Sequence, residues 1–123
     1  MTPLTRIVAI IDDDDSVRSA TSSLVRSLGL STATFVSAEE FLAAASLDIG
    51  CVISDIQMAG ISGLELLANL NRRGSPPPTI IMTAHATDHV RERAALLGAI
   101  TLLEKPFPPD ALVDALGGVY GPL

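Results

Sequence analysis

Three short runs, Ile7–Ile11, Cys51–Ser54 and Thr79–Met82, are rich in β-branched residues and show no polar alternation through their middles. A strand wetted on one face alternates; a strand buried on both faces does not. These runs therefore call for a sheet covered on both sides. Ala99–Leu103 and Thr32–Val36 are weaker strand candidates, the second at a sheet edge.

The covering helices lie between the strands. Val17, Thr21, Leu24, Val25 and Leu28 follow helical spacing, and Gly29 stops that stripe. Ser37-Ala38-Glu39-Glu40 predicts a capping box and a helix carrying Phe41, Leu42 and Ala45. Ser62-Gly63-Leu64-Glu65 predicts a second capping box, with Leu64, Leu67 and Leu70 on the helix and Arg72-Arg73-Gly74 at its end. Thr87 caps a fourth helix bearing Val90, Ala94 and Leu97, with Gly98 after it. Pro109 starts a short fifth helix through Leu112 and Leu116, expected to end at Gly117-Gly118.

Strands alternating with helices predict a three-layer α/β/α fold with a parallel five-stranded sheet. Right-handed crossovers leave few topologies for it. The 123 residues fit one domain, 1–123, and the Pro76-Pro77-Pro78 run reads as a stiff lead-in to the fourth strand.

Composition narrows the function. A net charge of −6 argues against nucleic-acid binding through this domain. The single cysteine, Cys51, sits in an apolar run and reads as a buried small hydrophobe in a reducing compartment. Met1 to Arg6 lacks the apolar stretch of a signal peptide, and no apolar run approaches the ~20 residues of a membrane span. A cytoplasmic protein without membrane contact is expected.

The polar residues collect at strand ends. Asp12 and Asp13 follow the first strand, Asp55 the third, Thr83 the fourth and Lys105 the fifth. In an open parallel sheet the carboxyl ends of the strands share one edge, where ligands bind. Asp14 and Asp15 need no more explanation than the preference of helix starts for Asp. Three carboxylates in one crevice repel one another, and a divalent cation relieves the repulsion. With oxygen donors and no clustered His or Cys, Mg²⁺ fits better than zinc. Lys105, the only lysine, is a flexible point charge suited to a phosphoryl oxygen, and the Thr83 hydroxyl can bond another.

The spacing of Asp12-Asp13, Asp55, Thr83-Ala84 and Lys105-Pro106 resembles the receiver domain of bacterial two-component response regulators. So do the segments Val52 to Leu67, Ile81 to Ala84 and Leu103 to Phe107. His85 and Glu104-Lys105-Pro106-Phe107 resemble the FixJ-type receivers. The resemblance covers essentially the whole chain and implies a flavodoxin-like strand order, 2-1-3-4-5. It implies that Asp55 is the phosphoacceptor, that Asp13, Asp55 and the Gln57 backbone carbonyl bind Mg²⁺, and that Asp12 acts mainly through a metal-bound water. Thr83 and Lys105 would hold phosphoryl oxygens. Gln57 and His85 would flank the attacking water and tune phosphoryl lifetime, with Ala84 and Leu102 among the switch positions. The peptide before Pro106 is often cis in that family.

The sequence departs from the family pattern twice. Ala59 stands where the family usually has proline, which makes the loop after the third strand less rigid. Leu102 stands where it usually has Tyr or Phe, so the aromatic that couples the site to the far face is missing.

The expected function is a phosphorylation switch read out on the fourth helix, fifth strand and fifth helix. Expected partners are a sensor histidine kinase, a second copy through that surface, and an effector or fused output domain. Two rivals follow from the residues. A Mg²⁺-dependent phosphohydrolase would need a second acid, and the position two after Asp55 is Gln57. A phosphorylation-independent docking module has no need of the acids, Thr83 and Lys105, all of which are present; it would signal equally well as Asp55→Asn.

Overall fold

A computed structural model of the chain describes residues 5–44 and 48–123. Ala45, expected on the second helix, and residues 1–4 of the expected leaderless N-terminus lie outside the described residues. Strands and helices alternate: β1 (Ile7–Ile11), α1 (Asp15–Ser27), β2 (Ser31–Phe35), α2 (Ala38–Ala43), β3 (Cys51–Asp55), α3 (Gly63–Arg72), β4 (Thr79–Thr83), α4 (Asp88–Leu96), β5 (Thr101–Glu104) and α5 (Pro109–Tyr120).

The five strands form one parallel sheet in the order β2-β1-β3-β4-β5, the flavodoxin-like order. Alternation along buried strands builds two cores. Val8, Ile10, Cys51, Ile53, Ile80 and Met82 face α1 and α5, meeting Val25, Leu112 and Leu116. Ala9, Ile11 and Val52 face the other way, meeting Phe41 of α2 and Leu66 and Leu70 of α3. Ile81 on that side meets Leu67, with Val90 and Leu97 from the α4 region at its margin. Every residue of β3 and β4 is buried, as their unalternating sequences require.

Local chemistry sets most helix ends. Asp14 caps α1, its side chain accepting from the Val17 N–H at 3.0 Å. Ser62 and Glu65 make the reciprocal capping box of α3. Thr87 caps α4. Gly29, Gly74 and Gly98 follow α1, α3 and α4 with positive φ, the conformation that glycine adopts without strain.

Two expectations, at α2 and α5, need correction. Ser37 caps α2 through the Glu40 N–H, but the reciprocal half of a capping box does not form among the described residues. The expected Leu67 and Leu70 of α3 are buried, Leu64 packs half-buried against the Leu67 cluster, and Leu66 joins them on the sheet-facing side. The fifth helix does not stop at Gly117-Gly118 but runs to Tyr120. Two helical glycines cost roughly 0.5–1 kcal/mol each against alanine. Tyr120 offsets this: it packs with Val119 at the edge of the α1–α5 core, and its hydroxyl donates to the Thr5 carbonyl at 2.7 Å. The Arg6 guanidinium lies 5.8 Å from the Tyr120 ring centroid, within cation–π range.

Boundaries moved slightly at the two outer strands. Val36 is left outside β2 and exposed, and β5 begins at Thr101 rather than Ala99. No helix among the described residues is long and apolar enough to cross a membrane.

Candidate functional site

Parallel pairing carries the strand ends to one edge. Ile11 pairs with Ser54, Asp55 with Met82 and Thr83 with Glu104, so Asp12, Asp55, Thr83 and Lys105 emerge side by side. Backbone bonds extend the ladder past the strands. The Asp12 N–H donates to the Phe35 carbonyl at 3.2 Å, and the Lys105 N–H to the Thr83 carbonyl at 2.7 Å. The Lys105–Pro106 peptide is cis.

The side chains meet across long sequence distances. The Lys105 Nζ lies 2.9 Å from Asp12 Oδ2 and 3.3 Å from Asp55 Oδ2. Asp12 is fully buried, Asp55 is nearly so, and Asp13 is exposed at the rim. Asp12 Oδ1 also accepts from the Asp14 N–H at 2.9 Å. One carboxylate oxygen from each of Asp12, Asp13 and Asp55 lies within 4.8 Å of the others. That all-oxygen group fits a hard divalent cation. One lysine set against three acids leaves negative charge for such a cation to offset.

Burial shifts the charges that remain. It raises the Asp55 carboxyl above its ordinary range; Lys105 pulls it back, and neighbouring Asp12 pushes it further up. For Lys105, burial opposes the ammonium. The hydrogen bond and charge of Asp12, with the charge of Asp55, outweigh it and hold the lysine above its ordinary value.

Thr83 is buried, and its Oγ1 accepts from the His85 N–H at 3.1 Å. That bond uses the oxygen and leaves the hydroxyl proton free to donate. Gln57, Ala84 and His85 are exposed around the crevice. Leu102 is not at the crevice: it is half-buried beside Ile56, Leu67 and Ile81 under α4. An apolar groove of about 530 Å³ runs from Lys105, Pro106 and Phe107 to Val17 and Leu24 on α1.

Two supporting residues escaped the sequence reading. The Arg18 guanidinium donates to the Asp12 carbonyl at 2.8 Å and pairs with Asp15. The Asp15/Arg18 spacing of i, i+3 was the available clue. Gly63, the first residue of α3, packs on the backbone of Asp55 itself. A Cβ there would overlap the Asp55 carbonyl oxygen and lie 3.0 Å from its carbon and 3.1 Å from the Ile56 Cα. Backbone atoms cannot step aside as a side-chain end can. Gly63→Ala is therefore expected to destabilise the fold by about 2–3 kcal/mol, the upper part of the overpacking range. Urea unfolding followed by circular dichroism measures it; a change within about 0.5 kcal/mol, the size of a neutral surface substitution, would refute the close approach.

Comparison with known proteins places these residues in context. The family model for the response regulator receiver domain matches residues 8–117. The transcriptional regulatory protein FixJ of Azorhizobium caulinodans is 44% identical over 115 residues, covering 93% of this chain and 54% of that protein. A response regulator receiver protein of known structure from Burkholderia phymatum is 37% identical, with a TM-score of 0.81 over 99% of this chain and 98% of that one. The chemotaxis protein CheY4 of Vibrio cholerae is 25% identical, with a TM-score of 0.86 over 94% of this chain and 98% of that one. The chain spans about half the length of the FixJ relatives that it matches.

Proposed function

The chain belongs to the response regulator receiver domain family, and from that premise we propose that it is the phosphoacceptor switch of a two-component relay, with Asp55 the acceptor. The observation that carries this reading is the convergence of Asp12, Asp55 and Lys105 at one strand edge, with the Lys105 ammonium 2.9 and 3.3 Å from the two carboxylates. Residues 1–123 are read as one such domain.

Phosphoryl transfer asks a protein for position and charge neutralisation more than for covalent skill. An Asp55 carboxylate oxygen attacks phosphorus. An O–P bond forms, the N–P bond of the partner kinase's phosphohistidine breaks, and its electron pair stays on the imidazole nitrogen. No base is needed, since the nucleophile reacts as the anion. Lys105 already sits beside Asp55 and meets one phosphoryl oxygen; the free hydroxyl proton of Thr83 meets another. Asp12, Asp13 and Asp55, with the Gln57 carbonyl, would hold Mg²⁺, which when bound offsets charge on the transferring group. Gln57 and His85, exposed at the mouth, would govern how fast water removes the phosphoryl group.

The groove between α1 and the β5–α5 turn gives a kinase an apolar surface next to Lys105. Output is read at α4, β5 and α5, where phosphorylation would bias two conformations, with Ala84 and Leu102 among the switch positions. Leu96, 73% exposed, and Ile100, 45% exposed, favour that face for a second copy or an effector. Sensor kinase, output domain and a cytoplasmic setting belong to the same proposal.

The test is mass spectrometry after incubation with acetyl phosphate. The wild type is expected to gain one phosphoryl group only with Mg²⁺, and Asp55→Asn none. The adduct should decay at a different rate when Gln57 and His85 are both alanine. A wild type that binds Mg²⁺ and forms no adduct under rapid quench, or an adduct that survives in Asp55→Asn, would sink the assignment.

A further inference from the structure

Resting on the reading of Asp55 as phosphoacceptor, we propose that Glu39 is a positioning residue: from α2 it clasps the loop that follows Asp55. That loop, residues 56–62, carries the Gln57 carbonyl assigned above to the cation. Its geometry therefore bears directly on the site.

The loop's ends are set differently. At the far end, the Gly63 N–H donates to the Ile56 carbonyl at 3.1 Å, and the missing Gly63 Cβ lets the chain lie on Asp55. In the middle, Ala59 and Gly60 are exposed, and neither restricts φ as a proline would. Gly60 adopts φ +81°, open to it because it lacks a side chain. Left to local preference, this stretch has little to define it.

Glu39 supplies the definition. Its Oε2 accepts from the Ile61 N–H at 3.5 Å, across 22 positions. The same oxygen lies against Gly60 so closely that a Cβ there would overlap it, and the Glu39 Cδ would be 3.1 Å away. Among the described residues, this is the one hydrogen bond tying Met58–Ile61 to another element. Met58 and Ile61 pack against the cluster that includes Ala38 and Phe41 of α2, so the carboxylate closes a contact that apolar packing begins. Ser37 in turn fixes the start of α2 by capping Glu40.

The experiment uses the full chain with Glu39→Ala, Glu39→Gln and, as an exposed neighbour without a partner in the loop, Glu40→Ala. Four readouts are taken: amide exchange at Gly60 and Ile61, Mg²⁺ affinity by calorimetry, the acetyl phosphate reaction rate, and Tm. Glu39→Ala is expected to speed exchange at both amides, weaken Mg²⁺ binding, and slow phosphorylation about tenfold, the scale expected for a modest misplacement. Its Tm should match that of Glu40→Ala. Glu39→Gln keeps an acceptor oxygen and should restore all three. The clasp is refuted if Glu39→Ala matches Glu40→Ala in exchange and affinity, if Glu39→Gln behaves as Glu39→Ala, or if the losses simply track a fall in Tm. Should the wild type take no phosphoryl group, the reading of Asp55 fails alone, and exchange with Mg²⁺ affinity still decides the clasp.

Discussion

Replacing Lys105 with methionine is expected to cost the metal-free protein about 2–3 kcal/mol and to stop phosphorylation at Asp55. Asp12 is fully buried and has the lysine ammonium at 2.9 Å. Breaking a buried pair by removing one partner leaves an uncompensated charge, at a cost of roughly 3–5 kcal/mol. The Lys105 side chain is one-fifth exposed, so solvent screens part of the stranded charge and the expectation falls just below that range. Urea unfolding by circular dichroism measures it. Pairing the substitution with Asp12→Asn removes the stranded charge and should recover most of the loss. Mg²⁺ should recover part of it in the single variant, since a cation that binds only the folded state stabilises it by mass action. A single-variant loss below about 1 kcal/mol, the worth of a surface ion pair, would show that the pair is not a buried one. The phosphorylation arm is separate: a Lys105→Met protein that is folded and still reacts at the wild-type rate would remove Lys105 from the chemistry.

Alkaline pH should unfold this protein early, and Cys51 should be the main cause. The thiol is fully buried, and burial pushes it from an ordinary 9.0 up to about 12. Between those values the unfolded chain has lost the proton and the native state keeps it. The unfolded state then binds fewer protons, so stability falls as pH rises. At ~1.36 kcal/mol per pH unit, the window from 9.0 to about 12 removes about 4 kcal/mol. Two other groups act in the same direction. The Tyr120 phenol is raised by burial from 10.0 to about 12. The raised Lys105 ammonium is fully stabilising below its unfolded value and loses that contribution as pH climbs through the folded one. Tyr120 is only half-buried, and solvent screening makes its share smaller. The measurement is ΔG of unfolding at a series of pH values above 8, for wild type and Cys51→Ala. The variant loses packing at every pH, so the slopes are compared rather than the values. The wild-type curve should fall more steeply, and parallel curves would reject the assignment to Cys51.

Much of the architecture was written locally. β1 was legible at both ends because five apolar, mostly β-branched residues stand between polar ones. The ends of α1, α3 and α4 were legible because Asp14, Ser62 and Thr87 bond the backbone three residues on, and a glycine follows each helix. The site was legible for a related reason: Asp12, Asp55, Thr83 and Lys105 each sit at a strand end, and a parallel sheet aligns those ends.

Tertiary structure decided the rest, wherever the deciding contact joins distant positions. Lys105 chose Asp12 and Asp55 across 93 and 50 positions of chain, which composition alone could not distinguish from a solvated lysine. Tyr120, reaching Thr5 over 115 positions, carried α5 through two glycines that local propensity reads as a stop. Glu39 reaches Ile61 across 22 positions because Gly60, lacking a side chain, leaves room for its carboxylate. Local bonds cost little chain entropy to close and so leave their mark in short patterns. Contacts between distant segments form only once burial has ordered both partners, and no short pattern records them.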